Sequence, residues 1–306
     1  MSFTNEIGAE LLSLPLKKNC CRKALLFGLM MGATAGEDGE IHTHFYSEEV
    51  RNLTVSLLKM VFRIEPATET TVRTGRERFE VSFLSKPLSG IHGFLHEMDR
   101  GEDVALHVAA GFRCASCQSE FLRGTFLATA TVNDPHKGYH MEILLPHEGR
   151  CDTLRRFLEH QLTRPGKVKR GTRFGLYYKS NGAIGDFLYY VGCSAASFDV
   201  ANVWIERDIR NNENRATNCV ARNIARSVET SRRHREAIEA LYATHRIDGL
   251  GEELRQTAEL RLENPAASLS ELAMMHQPPI SKSGLNRRLC KLLEEYEELK
   301  NSEKHS

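Results

Sequence analysis

A chain of 306 residues with 26% charged and 41% hydrophobic side chains is too long for one ordinary core and has ample apolar material to fold, so two domains are expected and wholesale disorder is excluded. A formal net charge of only +1 excludes a uniformly basic nucleic-acid binder, and any such role must come from local segregation of charge. No run of about 20 apolar residues occurs, and the opening MSFTNEIGAELLSLPLKK lacks the succession of a secretory signal, so a cytoplasmic protein without a membrane partner is expected.

Residues 2 to 13 read as a short helix with Phe3, Ile7, Leu11 and Leu14 on one side. Cys20 to Thr34, CCRKALLFGLMMGAT, reads as a buried helix whose interior Gly28 permits close backbone approach. Its partner comes 96 residues later as Cys117 to Thr131, where Gly124 stands opposite Gly28 and Cys117 opposite Cys21. The same offset maps Asp38 to Asp134, His44 to His140 and Gly75 to Gly171, and brings Phe79 within one residue of Phe174. Each half is expected to continue with a strand (Glu40 to Ser47; Gly138 to Pro146) and a helix (Glu48 to Val61; Glu148 to Leu162). Two alternating strands follow (Thr68 to Val72 and Arg76 to Phe83; Lys167 to Arg170 and Arg173 to Tyr178), then a closing helix (Pro87 to Met98; Ala183 to Gly192). Residues 1–195 thus form one α+β domain of two similar halves, with two antiparallel sheets side by side and the glycine-bearing helices at a pseudo-twofold axis.

Cys20-Cys21 and Cys114-x-x-Cys117 have the makings of a four-thiolate zinc site. Both pairs, however, precede apolar helical runs where small buried cysteines pack well, and on that ground no metal and no cofactor is expected. His42, His44, His136 and His140 lack Cys or carboxylate partners at ligand spacing and are read as surface or core residues.

Residues 196–208 are expected to form a linker, and residues 209–306 an all-α domain. Arg215, Arg222 and Arg226 lie in an Arg- and Asn-rich helical tract that offers secondary phosphate contacts; the other readings are a solvated face over the stripe Ile209, Cys219, Val220, Ile224 and Val228, or a hub of Arg210, Asn211, Asn214, Arg215 and Asn218 docking one domain against the other. Leu250 to Glu263 supplies a supporting helix, closed by Asn264-Pro265. Ser268 followed by Glu271 has capping-box spacing and starts a helix with Leu269, Leu272 and Ala273 on its apolar face. Gln277-Pro278-Pro279 ends it. Ile280, Leu285, Leu289, Leu292 and Leu293 then recur at helical spacing, while Ser281, Lys282, Ser283, Asn286, Arg287 and Arg288 fill the other face with groups suited to phosphates and base edges. The pattern fits a helix-turn-helix whose second helix is expected to read DNA and whose first contributes Ser268 and Ser270; the other reading is an ordinary amphipathic helical hairpin with a solvated basic face. From Leu272 to Leu293 no acidic residue occurs, and Glu294, Glu295, Glu297 and Glu298 follow at once, which confines the positive field to the presumed groove side.

The duplicated unit with glycine-centred helices resembles the LAGLIDADG homing-endonuclease fold, αββαββα in each half. In that family an acid five positions after the glycine holds the catalytic metal; here those positions are Ala33 and Thr129, which cannot bind a hard cation as a carboxylate does. Asp38 and Asp134 lie ten positions after the glycines, beyond the expected helix ends. A resemblance over the whole length is carried by FLRGTFLATATVNDPHKGYHMEI (Phe121 to Ile143), RNNENRATNCVARNIARSV (Arg210 to Val228), PPISKSGLNRRLCKL (Pro278 to Leu292), the MSFTNEIGAEL start and the Cys20-Cys21 pair. These are similar to the WhiA family of bacterial sporulation and cell-division regulators, although that family usually has glycine where this chain has Ala130. The resemblance implies a degenerate endonuclease-like domain without catalytic residues, joined to a helix-turn-helix that binds double-stranded DNA, in a nucleoid-associated transcriptional regulator. RNA polymerase or another regulator is the further partner it admits. The alternatives are an adaptor of the transcription machinery and a metal-dependent endonuclease.

Overall fold

A computed structural model describes residues 2–16, 18–73, 75–101, 106 and 110–303. Two compact units divide between Asp208 and Ile209.

The first unit opens with α1 (Phe3–Ser13), capped by Ser2, whose hydroxyl accepts from the Asn5 N–H at 3.3 Å. Its first half runs α2 (Asn19–Leu29), β1 (Thr34–Ala35), β2 (Glu40–Phe45), α3 (Glu48–Leu57), β3 (Ala67–Arg73), β4 (Arg76–Leu84) and α4 (Gly90–Arg100). The second repeats this as α5 (Ser116–Thr129), β5 (Ala130–Val132), β6 (Met141–Leu145), α6 (Glu148–Gln161), β7 (Gly166–Arg170), β8 (Arg173–Tyr178) and α7 (Asn181–Tyr190). Each half forms one antiparallel sheet, in the orders β1-β2-β4-β3 and β5-β6-β8-β7. The duplication and the α+β class expected from the sequence are therefore present. The short strands β1 and β5 complete the αββαββα order that the resemblance implies; at two and three residues they are too brief to show a period in the sequence.

Helices α2 and α5 pack along their lengths because neither bears a side chain at the crossing. A methyl group added to Gly28 would stand 2.0 Å from the Phe121 carbonyl oxygen, and one added to Gly124 would stand 2.2 Å from that of Leu25. Ala130 begins β5 with φ −98° and ψ 151°, an ordinary extended conformation that alanine adopts without strain.

The 96-residue offset holds through these helices and slides in the sheets. Residues 133–140 connect β5 to β6 where only residues 36–39 connect β1 to β2. His44 consequently lies within β2 whereas His140 precedes β6, and the two are not equivalent. Asp38 and Asp134 do serve alike: each carboxylate accepts the backbone N–H two residues on, from Glu40 at 3.1 Å and from His136 at 2.9 Å. Both are turn-forming side chains.

Helix α8 (Ser194–Ala243) follows without a break. Its fifty residues contain no proline or glycine, so the stretch 196–208, expected as a linker, is helical. The Glu10 carboxylate accepts from the N–H groups of Ala195 at 3.0 Å and Ala196 at 3.3 Å, satisfying donors that the helix start leaves open. The second unit adds a turn of 3₁₀ helix (Arg246–Gly249), α9 (Glu252–Glu263), α10 (Leu269–Met275) and α11 (Lys282–Glu303). Ile238, Leu241, Ile247, Ala258, Leu272, Ala273, Leu285, Leu289 and Leu292 form its core. Among the described residues no helix is long and apolar enough to cross a membrane.

Candidate nucleic-acid interface

Helix α10 starts at a complete capping box. The Ser268 hydroxyl accepts from the Glu271 N–H at 3.2 Å, and the Ser268 N–H donates to the Glu271 carboxylate at 2.7 Å. These bonds hold the Glu271 carboxyl below its usual range. Ser270, two residues after Ser268, is exposed. After the helix the chain turns through a cis Gln277-Pro278 bond, and the Ile280 N–H donates to the Ala273 carbonyl at 3.0 Å. His276 is buried in this turn, its ring nitrogens 3.4 Å from Gln256 Oε1 and 3.5 Å from Thr257 Oγ1. Burial, then the Arg288 guanidinium, push its pKa down.

Helix α11 begins with Ser281, whose hydroxyl accepts from the Gly284 N–H at 3.0 Å. Leu285, Leu289 and Leu292 face the core. Lys282, Ser283, Asn286, Arg287 and Cys290 are exposed and fall within about 140° of arc at 100° per residue. Five of the second-helix residues singled out from the sequence (Ser281, Lys282, Ser283, Asn286 and Arg287) are thus exposed together at the helix start. Arg288 differs: its guanidinium pairs with Glu253 of α9 at 2.9 Å, and its side chain is 20% exposed. Cys290 and Lys291, not among the residues expected from the sequence, are also exposed; their spacing of four from Asn286 and Arg287 was the available signal. The helix runs ten residues beyond Leu293, so the run of glutamates belongs to α11 itself.

Buried polar groups also support α10. Arg261 is buried and donates to the Ala267 carbonyl at 2.9 Å, and Ser231 donates to the Pro265 carbonyl at 2.6 Å. Beside them His234 is 4% exposed, and burial, followed by Arg261 and Arg233, lowers its pKa to about 4.

On α8, residues 208–230 are exposed around the whole circumference, so the apolar side chains Ile209, Val220, Ile224 and Val228 do not form the packed stripe considered from the sequence. Arg215, Arg222 and Arg226 line one open groove with Asn218, Cys219 and Asn223. The three arginines share one face over about 16 Å of helix.

In the first unit Ala33 is buried, and the Thr129 hydroxyl donates to the Thr125 carbonyl at 2.6 Å. Around the end of α2 the fully buried Arg150 donates to the carbonyls of Met31 and Ala33, both at 2.8 Å, and forms two 2.7 Å bonds with the Asp99 carboxylate. A fixed positive charge therefore stands against Ala33, where an endonuclease-like site would need a cation-binding carboxylate. Among the described residues, the only cluster of potential metal-ligating side chains is Cys20, Cys21, Cys114 and Cys117. The crossing of α2 and α5 brings these four thiols together.

Family comparison agrees with this architecture. Residues 118–210 match the WhiA LAGLIDADG-like domain and residues 214–296 the WhiA C-terminal HTH domain. A protein of Syntrophomonas wolfei named probable cell division protein WhiA is 32% identical, with 98% of this chain and 99% of that protein covered. A protein of the same name in Lachnoclostridium phytofermentans is also 32% identical, over 95% of this chain and 97% of that one. The crystal structure of full-length WhiA from Thermatoga maritima shares the fold, with a TM-score of 0.58 at 22% identity, covering 97% of this chain and 99% of that one. With both domains matched in order and relatives aligned over nearly their whole length, the chain belongs to the WhiA family.

Proposed function

We propose that this protein is a sequence-specific DNA-binding transcriptional regulator of cell division and sporulation that does not cut DNA. The observation that carries the reading is the first two turns of α11: Lys282, Ser283, Asn286 and Arg287 are exposed on the side opposite the leucines, at the end of a helix-turn-helix that enters the major groove. Asn286 and Arg287 have the chemistry to read base edges, Lys282 and Ser283 to hold phosphates. Ser281 caps the reader and Ser268 caps the helix before it; Ser270, exposed beside Ser268, is placed to meet the backbone. Arg288 acts as a positioning residue through Glu253. Residues 209–306 form the reading domain, and the stripe of Arg215, Arg222 and Arg226 adds nonspecific phosphate contacts. Residues 1–195 serve recruitment rather than cleavage, RNA polymerase or a second regulator being the partner class, and the protein works at the nucleoid.

The test selects duplexes from a randomised pool with the full chain, then measures affinity at fixed salt with magnesium present. Selected DNA is bound tightly and stays intact, while a variant carrying Lys282→Ala, Asn286→Ala and Arg287→Ala retains only sequence-independent binding. Cleavage of the selected DNA, or unchanged preference in the triple variant, overturns the proposal.

A further inference from the structure

The four cysteines at the start of the paired helices form a geometric unit. Cys20 and Cys21 lie in the first turn of α2, and Cys114 and Cys117 in the turn that enters α5, where the Cys117 N–H donates to the Cys114 carbonyl at 3.0 Å. Cys114 Sγ stands 3.7 Å from Cys20 Sγ, 3.6 Å from Cys21 Sγ and 3.5 Å from Cys117 Sγ, and all four sulfur atoms lie within 4.8 Å of one another. A zinc ion bound at about 2.3 Å by four thiolates in a tetrahedron sets its sulfurs about 3.8 Å apart. The spacings from Cys114, 3.5 to 3.7 Å, lie just below that edge. They are too long for a disulfide, whose sulfurs approach to about 2.05 Å, and all four thiols are free. A polynuclear iron–sulfur cluster holds its cysteines around a core of several metal atoms, whereas these four converge on a space for one ion.

We propose that Cys20, Cys21, Cys114 and Cys117 bind a single soft divalent cation, zinc, that staples the start of α2 to the start of α5. All four positions of the tetrahedron are filled by protein, so the site is closed and structural rather than catalytic. Binding transfers the four thiol protons to solvent and leaves a complex of net charge −2. The N-termini of α2 and α5 direct their positive ends at it, and Lys18, Arg22, Lys23 and Arg113 flank the ligands in sequence. Cys21 and Cys117 are related by the same 96 residues as Gly28 and Gly124, so the ion joins the two repeats near their pseudo-twofold axis, above the glycine crossing. Binding free energy of such sites becomes folding free energy, which makes the first unit the one that responds to metal.

The test uses the full chain purified with reductant and without chelator. Elemental analysis is expected to return one zinc per chain. After zinc removal, titration with cobalt(II) is expected to give the thiolate charge-transfer and tetrahedral d–d absorption of a four-sulfur site, bleached by added zinc. Cys114→Ser with Cys117→Ser lowers the metal content from one ion to none, whereas Cys219→Ser with Cys290→Ser, at exposed positions outside the cluster, leaves it unchanged. Metal that persists in the first variant overturns the proposal, as does a wild-type chain that gives no tetrahedral cobalt spectrum. Recovery of a metal-free disulfide joining Cys20 or Cys21 to Cys114 or Cys117 also overturns it, in favour of a redox pair.

Discussion

Arg287 and Arg288 are neighbours in sequence, yet alanine at each has a different expected consequence. Arg287 is exposed on the reading face; removing a bidentate base contact there costs about 1 to 3 kcal/mol of binding, a loss of roughly 5- to 150-fold confined to the preferred sequence. Arg288 pairs with Glu253 at 2.9 Å, and because the Glu253 side chain is 77% exposed the pair is screened and contributes about 0.2 to 1 kcal/mol to folding. Arg288→Ala therefore shifts the unfolding midpoint slightly and alters DNA affinity only indirectly. Fluorescence anisotropy on a selected and a scrambled duplex, repeated over a salt series, separates the two. If Arg287 instead holds a phosphate, its loss weakens both duplexes alike and reduces the salt slope by about 0.9. A larger loss of specificity for Arg288→Ala than for Arg287→Ala, at unchanged stability, would refute the assignment.

Three further outcomes follow from the packing. Gly28→Ala brings a methyl group to 2.0 Å from the Phe121 carbonyl, so α2 and α5 must part by about 1 Å, and overpacking of this kind costs about 1 to 3 kcal/mol; urea unfolding of the first unit measures it, and an unshifted midpoint contradicts the close crossing. Asp99→Ala leaves Arg150 buried without its carboxylate partner, with an expected loss of about 3 to 5 kcal/mol visible in thermal unfolding. Because His234 is held neutral with a pKa of about 4 against an ordinary 6.5, the unfolded chain takes up a proton in that interval and the folded chain does not. The stability is intact above pH 6.5 and falls as pH drops towards 4, by about 3 kcal/mol in all; buried His276, also lowered, adds in the same direction. Hydrogen exchange of residues 252–292 at pH 7 and pH 5 checks the sign, and His234→Gln should flatten the dependence.

Local chemistry made parts of this structure readable in advance. Ser268 and Glu271 satisfy each other's backbone donors within one helical turn, so spacing alone located the helix start. Gly28 and Gly124 were readable because a repeat places them opposite each other and only glycine allows such an approach. The four thiols could be named together from the sequence, but whether they meet depends on the register of two helices, with Cys20 and Cys114 94 residues apart. Nothing in the sequence sets Arg150 apart within the helix expected from Glu148 to Leu162, and only the fold shows it buried against Asp99 and two carbonyls. At 196–208, expected as a linker, the absence of proline and glycine leaves nothing to interrupt the helix whose start Glu10 caps. Arg288 carries the same charge as Arg287, and only the approach of Glu253 separates their roles.

The central claim, that α11 reads DNA for the whole protein, is tested most directly by mapping genome-wide occupancy of the full chain beside the variant carrying Lys282→Ala, Asn286→Ala and Arg287→Ala, with both proteins present at equal level. The expected result is a defined set of sites sharing a sequence, all lost in the variant. Sites that persist in the variant with the same shared sequence would place the reading surface elsewhere and contradict the claim.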